Sequence, residues 1–241
     1  MRETSGYSID DTKLISFYFD GKRYQAFEGD TIASGLLANG ISFTSRSIKY
    51  HRPRGIFSHS FEEPNSLFEV KSTEGYEPNI LSTRVKIYDG MVIKSINSWP
   101  TLNFDFFSVL IFLSNFLKAG FYYKTFFGSN YLWKNIFEPF LRKMAGFSHA
   151  PIEKDKSYYS KQNIKCDVLI IGGGPSGVAA ASNLCESNLN VILIEDDFYL
   201  GSKLTNLKER DWFFKAKNYI EKHIKIYTDT TVFGAYTNNY F

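Results

Sequence analysis

The stretch "CDVLIIGGGPSGVAAASNLCESNLNVILIEDD", residues 166–197, limits what this chain can fold into more than any other segment. Val168 to Ile171 form a short apolar run that ends in glycine, the pattern of a strand buried on both faces of a parallel sheet. Gly172-x-Gly174-x-x-Gly177 follows at once, and a helix of small residues begins inside it. A second apolar run, Val191 to Ile194, ends in Glu195. The three glycines have separate tasks: Gly172 permits the tight turn, Gly174 lets a pyrophosphate approach the backbone, and Gly177 lets helix and strand pack closely. The helix N-terminus adds unpaired N–H groups and the positive end of its dipole. Glu195 lies 18 residues beyond Gly177, where a carboxylate can accept from the adenosine ribose hydroxyls. The candidate cofactor-binding residues are Gly172, Gly173, Gly174, Pro175, Ser176, Gly177 and Glu195. This pattern does not separate NAD from FAD, but a carboxylate at 195 repels the 2′-phosphate of NADP.

Beyond Glu195 come a loop, a helix around Asp211 to Lys222, and the run "IKIYTDTTVFGAY". That provides about three strands and two helices, fewer than a complete dinucleotide-binding domain uses. Residues 164–241 are therefore expected to form an incomplete Rossmann-type domain, as in a truncated product or the N-terminal part of a longer one. A sheet left incomplete exposes an edge and predicts association.

The first third reads differently. Leu14 to Phe19 and Arg23 to Phe27 are β-rich runs around Asp20-Gly21, a type I′ hairpin signal. Asp30 is placed to cap a helix containing Ile32, Leu36 and Leu37, and Gly40 to end it. "STRVKIYDGMVIKSIN" suggests another hairpin around Asp89-Gly90. A hairpin followed by a helix opens a β-grasp fold, so an α+β domain is expected over 12–98. Residues 99–163 are dense in aromatics and interrupted by Gly120, Gly128 and Pro139. Phe137, Phe140, Leu141 and Met144 recur at helical spacing, which predicts a connector of two or three short helices, with "HAPIEKDKSYYSKQN", 149–163, as a linker.

Several function classes are disfavoured. The net charge of +3 gives no global field for nucleic acid. The basic cluster Arg46, Lys49, His51, Arg52 and Arg54 is too short to track phosphates. The two cysteines, Cys166 and Cys185, make a disulfide framework or a cysteine-ligated metal improbable. The four histidines, His51, His59, His149 and His223, show no metal-ligand spacing. No candidate catalytic acid, base or nucleophile stands out. "MRETSGYSIDD" has no apolar signal core, which suggests a cytoplasmic protein. The apolar run Phe106 to Leu117 is shorter than the roughly 20 residues a membrane span needs, so a buried or interface helix is expected there, with contact to a membrane surface the alternative.

The strings "FEGDTIASGLLANGI", "RSIKYHRPRGIFS", "EEPNSLFEV", "AGFYYKTF", "CDVLIIGGGPSGVAAA" and "TTVFGAY" closely resemble the N-terminal part of the alpha subunits of heterotetrameric sarcosine oxidases. The likeness runs in the same order from about residue 17 to residue 236. It implies a β-grasp domain akin to 2Fe-2S ferredoxins, a dinucleotide-binding domain, and a C-terminal folate-binding module outside this chain. It implies partner beta, gamma and delta subunits. The complex converts sarcosine, oxygen and tetrahydrofolate into glycine, hydrogen peroxide and 5,10-methylenetetrahydrofolate. By this likeness the amine is oxidised at a flavin held in the beta subunit, a covalent FMN lies between alpha and beta, and FMN, FAD and tetrahydrofolate belong to the full complex only. NAD would be held by Gly172, Gly174, Gly177 and Glu195, with FAD the alternative in the same site, and the piece in hand would not be active alone. Alpha subunits of related amine and imino-acid dehydrogenases share the layout. A non-catalytic assembly module with a vestigial nucleotide site is a further reading.

Two departures from the family pattern stand out. Leu200-Gly201-Ser202-Lys203 replaces paired glycines after the second strand, so a side chain at 202 narrows the approach to the cofactor. The loop that would wrap an iron-sulfur cluster, "RSIKYHRPRGIFSHSFEEPNSLFEV", contains no cysteine, so no cluster is expected there. Arg46, Arg52 and Arg54, with Glu62 and Glu63, are instead expected to hold the loop's shape or a contact with another domain or subunit, with a positive surface near a flavin or NAD phosphate of the full complex as the alternative.

Overall fold

The computed structural model describes residues 9–59, 61–71, 75–115, 119–120, 124, 126–152, 154, 158–202 and 207–241. Parts of "AGFYYKTF", the end of the Phe106 to Leu117 run, part of the 149–163 stretch and Lys203 lie outside them. The chain divides into two compact units, Met1–Tyr158 and Tyr159–Phe241. The boundary falls inside the stretch read as a linker, and the aromatic connector belongs to the first unit.

The first unit is built on a five-stranded sheet. Strands β1 (Asp10–Phe19) and β2 (Lys22–Glu28) form the expected hairpin, with Asp20 and Gly21 both at positive φ as a type I′ turn requires. Helix α1 (Ile32–Ala38) follows. Its cap is one residue later than expected: the Thr31 side chain accepts from Ser34 N. The Asp30 carboxylate is diverted, accepting instead from Phe27 N at 2.8 Å and Ser34 Oγ at 2.7 Å. Gly40 takes the left-handed conformation just past the helix end.

The short strands β3 (Ser45–Arg46) and β4 (Pro53–Arg54) pair across the basic loop. Strands β5 (Leu67–Lys71), β6 (Tyr76–Leu81) and β7 (Met91–Ser95) complete the large sheet in the order β2-β1-β7-β5-β6. The hairpin expected around Asp89-Gly90 does not form. β7 pairs parallel with β1 and antiparallel with β5, while residues 82–87 bond instead to residues 30–33, with Ile87 N donating to Asp30 O at 2.8 Å, Ile32 N to Val85 O at 2.9 Å and Ala33 N to Ser82 O at 3.0 Å. Two contacts account for this: Asp89 Oδ1 accepts from Ser16 N at 2.8 Å, and Ile87 is buried in the core. Phe17, Phe19, Ile32, Leu36, Phe68 and Met91 make up much of that core.

The connector contains a 3-10 helix (Phe106–Ile111), then a helical turn (Asn130–Leu132) that runs through a wider π stretch (Trp133–Phe137) into α2 (Glu138–Ala145). Leu141 and Met144 are buried, as their spacing implies. Gly146 ends α2 at positive φ, and a Cβ there would meet Asn97. No helix among the described residues is long and apolar enough to cross a membrane.

The second unit has three parallel strands, β8 (Val168–Ile171), β9 (Val191–Ile194) and β10 (Lys225–Tyr227), in the order β10-β9-β8. Helices α3 (Pro175–Leu184) and α4 (Leu207–Ile220) contribute Val178, Ala181, Phe213 and Ile220 to its core, with Leu193 from β9 and Leu200 from the loop after it. β8 is an edge of this sheet, and Ile171 on it is exposed.

Candidate dinucleotide-binding site

The glycine loop connects β8 to α3. Gly172 has φ +100° and donates its N–H to Ile194 O at 2.7 Å, so the turn is fixed to the end of β9. Gly177 is the close-packing glycine. A Cβ on it would fall far inside 3.0 Å of the Gly172 carbonyl oxygen, a separation real Cβ atoms essentially never show. Gly174 is the opposite case, because a Cβ there would meet nothing within 4 Å. It is also the N-cap of α3 with no side-chain cap, followed by Pro175 in the first helical turn. The first N–H groups of a helix have no intrahelical partner. Open space at Gly174 therefore meets the free N–H groups and the positive dipole end of the α3 N-terminus.

Glu195 is brought to the same loop. It is buried, its Oε2 accepts from Gly173 N, and its Oε1 accepts from Asp197 N at 3.0 Å. Burial raises its carboxyl pKa, and neighbouring Asp196 adds to the rise, against the two backbone donors. Each carboxylate oxygen keeps a further lone pair that a ribose hydroxyl can use. All seven residues expected from the sequence lie in this one β8-loop-α3-β9 arrangement.

Leu200 and Gly201 belong to the same arrangement in a way the sequence did not reveal. Gly201 N donates to Gly173 O at 3.0 Å. A Cβ on Gly173 would strike Leu200 and come within 2.9 Å of Glu195 Oε2. Gly201 sits at φ +74° with Phe213 where its Cβ would be. The only sequence signal was a glycine in the loop after Glu195; its long-range target was not visible. Ser202, expected to crowd the site, is half-buried.

The basic loop of the first unit is organised differently. Arg46 is buried and donates to three carbonyls at close range: Leu102 O from Nε at 2.8 Å and Nη2 at 2.6 Å, His51 O from Nη1 at 2.7 Å, and Asn103 O from Nη2 at 3.3 Å. Its Nε lies 3.6 Å from Asp105 Oδ2, which also takes His51 Nδ1 at 2.7 Å. Asp105 Oδ1 accepts from Trp99 N at 2.9 Å. Glu63 gathers the far end of the loop by accepting from Phe57 N, Ser58 N and Asn65 N. Arg52 and Arg54 are exposed, with Arg52 stacked on Tyr50. Arg46 and Glu63 therefore hold the loop's shape.

This network has a pH signature. Burial holds the His51 pKa below its ordinary 6.5, the Arg46 charge pushes the same way, and the Asp105 carboxylate and the Met144 backbone act against them. The unfolded chain therefore takes up this proton at higher pH than the folded one. The His51 contribution is complete above about pH 6.5 and is lost as pH falls through that value towards the folded pKa. Denaturation of the wild type should show stability falling as pH drops below about 6.5 more steeply than in His51→Gln. Equal slopes would remove His51 as the cause.

Comparison with known proteins places these two units. Residues 12–98 match the family described as 2Fe-2S iron-sulfur cluster binding domain, and residues 167–224 match the family of FAD dependent oxidoreductases. A 2Fe-2S cluster is held by cysteine thiolates, and residues 12–98 contain no cysteine. The residues present do not fit that group. The chain is 39% identical over 242 aligned residues to sarcosine oxidase subunit alpha of Rhizobium meliloti (strain 1021), covering 97% of this chain and 24% of that protein. It is 28% identical over 254 residues to sarcosine oxidase subunit alpha of Corynebacterium sp. (strain U-96), covering 99% of this chain and 21% of that protein. The chain thus spans about a quarter of the length of these relatives. In fold it is similar to L-proline dehydrogenase from P.horikoshii, with a TM-score of 0.54 at 22% identity over 94% of this chain and 35% of that one.

Proposed function

The chain is homologous to the sarcosine oxidase alpha subunits over nearly its whole length, and from that premise we propose that it is the nucleotide-holding N-terminal part of an alpha subunit in a flavin-dependent complex oxidising CH–NH donors. The observation that carries this reading is the glycine loop. Gly174 offers open backbone at a helix N-terminus while Gly177 is locked against Gly172, so the loop can receive a pyrophosphate without rearranging.

The bound group is a dinucleotide held by its ADP half. Gly172, Gly173, Gly174, Pro175, Ser176 and Gly177 surround the pyrophosphate, and Glu195 accepts from the ribose. When bound, the group supplies redox chemistry or a fixed structural anchor. The residues of this chain bind and orient it. The likeness to sarcosine oxidase favours NAD; the match to FAD dependent oxidoreductases favours FAD. The substrate is sarcosine or a similar amine, oxidised outside this chain, with tetrahydrofolate taking the one-carbon unit and beta, gamma and delta subunits completing the complex in the cytoplasm.

Titration of the chain with NAD, FAD and NADP, followed by the fluorescence of its three tryptophans, tests the site. Saturable binding of NAD or FAD is expected, and Gly174→Val should abolish it by filling the open backbone position. NADP should bind far more weakly. Failure of all three to bind would leave the assembly-module reading in its place.

A further inference from the structure

The first unit exposes an unusual amount of aromatic surface along residues 99–147. Phe112 is 82% exposed, Phe127 74% and Tyr131 71%, and Trp99, Phe106 and Trp133 are also open. Large contiguous apolar surface on a soluble domain marks an interaction site. Ring contacts join other aromatics of the same segment into two groups, one around Phe106 and one around Phe140. Phe104 and Trp99 both meet Phe106 at 5.1 Å, and Phe107 and Phe126 both pack on Phe140 of α2. Beside Trp99 lies a cavity of about 1020 Å³, lined by Val92, Pro100, Phe107, Pro139 and Phe147 among others. Buried aromatic anchors seated in such clefts dominate interface energetics.

The charges on this surface select its occupant. Residues 99–147 carry five Lys and Arg but only two carboxylates, Asp105 and Glu138. Asp105 is buried on His51, and Glu138 is paired with Arg142 Nε at 2.8 Å. Lys134 and Lys143 are exposed and have no carboxylate partner among the described residues; Lys143 rests over the Trp99 ring. A second copy of this chain would set these lysines against each other around the shared surface, which a self-complementary contact penalises. A lipid surface would favour one long amphipathic helix, whereas these rings come from several short elements.

We propose that the aromatic face of residues 99–113 and 126–147 is the docking surface for a different subunit, one presenting an apolar anchor to the cleft beside Trp99 and an acidic rim to Lys134 and Lys143. This rests on the reading of the chain as one subunit of a larger enzyme. A stable contact of this kind buries about 1,000 Å² or more, which a surface with this many open rings can supply.

The test is association of the full chain with the beta subunit from the same source organism, measured by titration calorimetry. Phe112→Asp, Phe127→Asp and Tyr131→Asp should each weaken binding about tenfold or more, since a charge enters a desolvated contact. Phe57→Asp serves as control: Phe57 is equally exposed, at 84%, but lies on the loop held by Glu63. Lys143→Glu should slow association and reverse its salt dependence. Circular dichroism confirms that each variant is folded. Wild-type binding unchanged in all three ring variants overturns the surface and leaves the subunit reading standing. No wild-type binding, with nucleotide titration intact, overturns both the surface and the complex but not the nucleotide site. A homodimer abolished by Phe112→Asp, or binding to phosphatidylcholine vesicles with about 30% phosphatidylserine lost in the same variants, overturns the proposal in favour of those occupants.

Discussion

Replacing Arg46 by methionine is expected to lower the unfolding free energy of the first unit by about 3–5 kcal/mol. The side chains are similar in volume, so packing is not the cause. The guanidinium supplies bonds to Leu102 O, His51 O and Asn103 O, and its charge faces the buried Asp105 carboxylate. Methionine leaves these carbonyls without that donor and the carboxylate with no cation beside it among the described residues, while its hydrogen bonds from His51 Nδ1 and Trp99 N remain. Against a total stability of about 5–15 kcal/mol for a domain, such a loss is a large fraction. Arg46→Lys should fall between wild type and methionine, because an ammonium keeps the charge but loses the planar fork that reaches several carbonyls at once. Guanidinium denaturation followed through Trp99 and Trp133 reads the effect. A loss below about 1 kcal/mol for methionine would show that the network is solvated rather than structural.

The second large effect separates two glycines of one motif. Gly177→Ala is expected to cost the second unit about 3 kcal/mol, at the upper end of ordinary overpacking, because the new methyl must displace the Gly172 carbonyl that the β8 turn depends on. Gly174→Ala, three residues earlier, should leave stability nearly unchanged, since its Cβ enters open space and its φ of −72° suits any residue. Hydrogen exchange at the amides of β8 and β9 distinguishes them: faster exchange in Gly177→Ala and wild-type rates in Gly174→Ala. Equal behaviour of the two would mean that the loop is more loosely packed than these positions imply.

Local chemistry made some parts of the molecule legible and left others hidden. The β8-loop-α3-β9 unit was readable because each glycine acts on its immediate neighbours and Glu195 follows at a fixed interval. The β1–β2 hairpin was readable for the same reason, through Asp20 and Gly21. The failures share a different cause. Asp30 carries the chemistry of a helix cap, but Phe27 N and Ser34 Oγ competed for its carboxylate. Asp89-Gly90 has hairpin chemistry, but β7 found β1 and β5, and Asp89 took Ser16 N, 73 residues away. His51 showed no carboxylate at any suggestive spacing, and its partner Asp105 stands 54 residues along the chain. In each case the deciding partner was distant in sequence, where propensity and periodicity carry no information.

Gly173 is held on both sides, with its N–H on Glu195 and its carbonyl accepting from Gly201 N. A binding loop that forms only part of the time loses affinity in proportion to the time it spends unformed. A loop pinned by its own fold escapes that reduction and does not have to wait for a rare conformer before capture. Under the proposed reading, a dinucleotide is then free to arrive late, leave intact and return, with occupancy following its ambient concentration rather than the history of the chain.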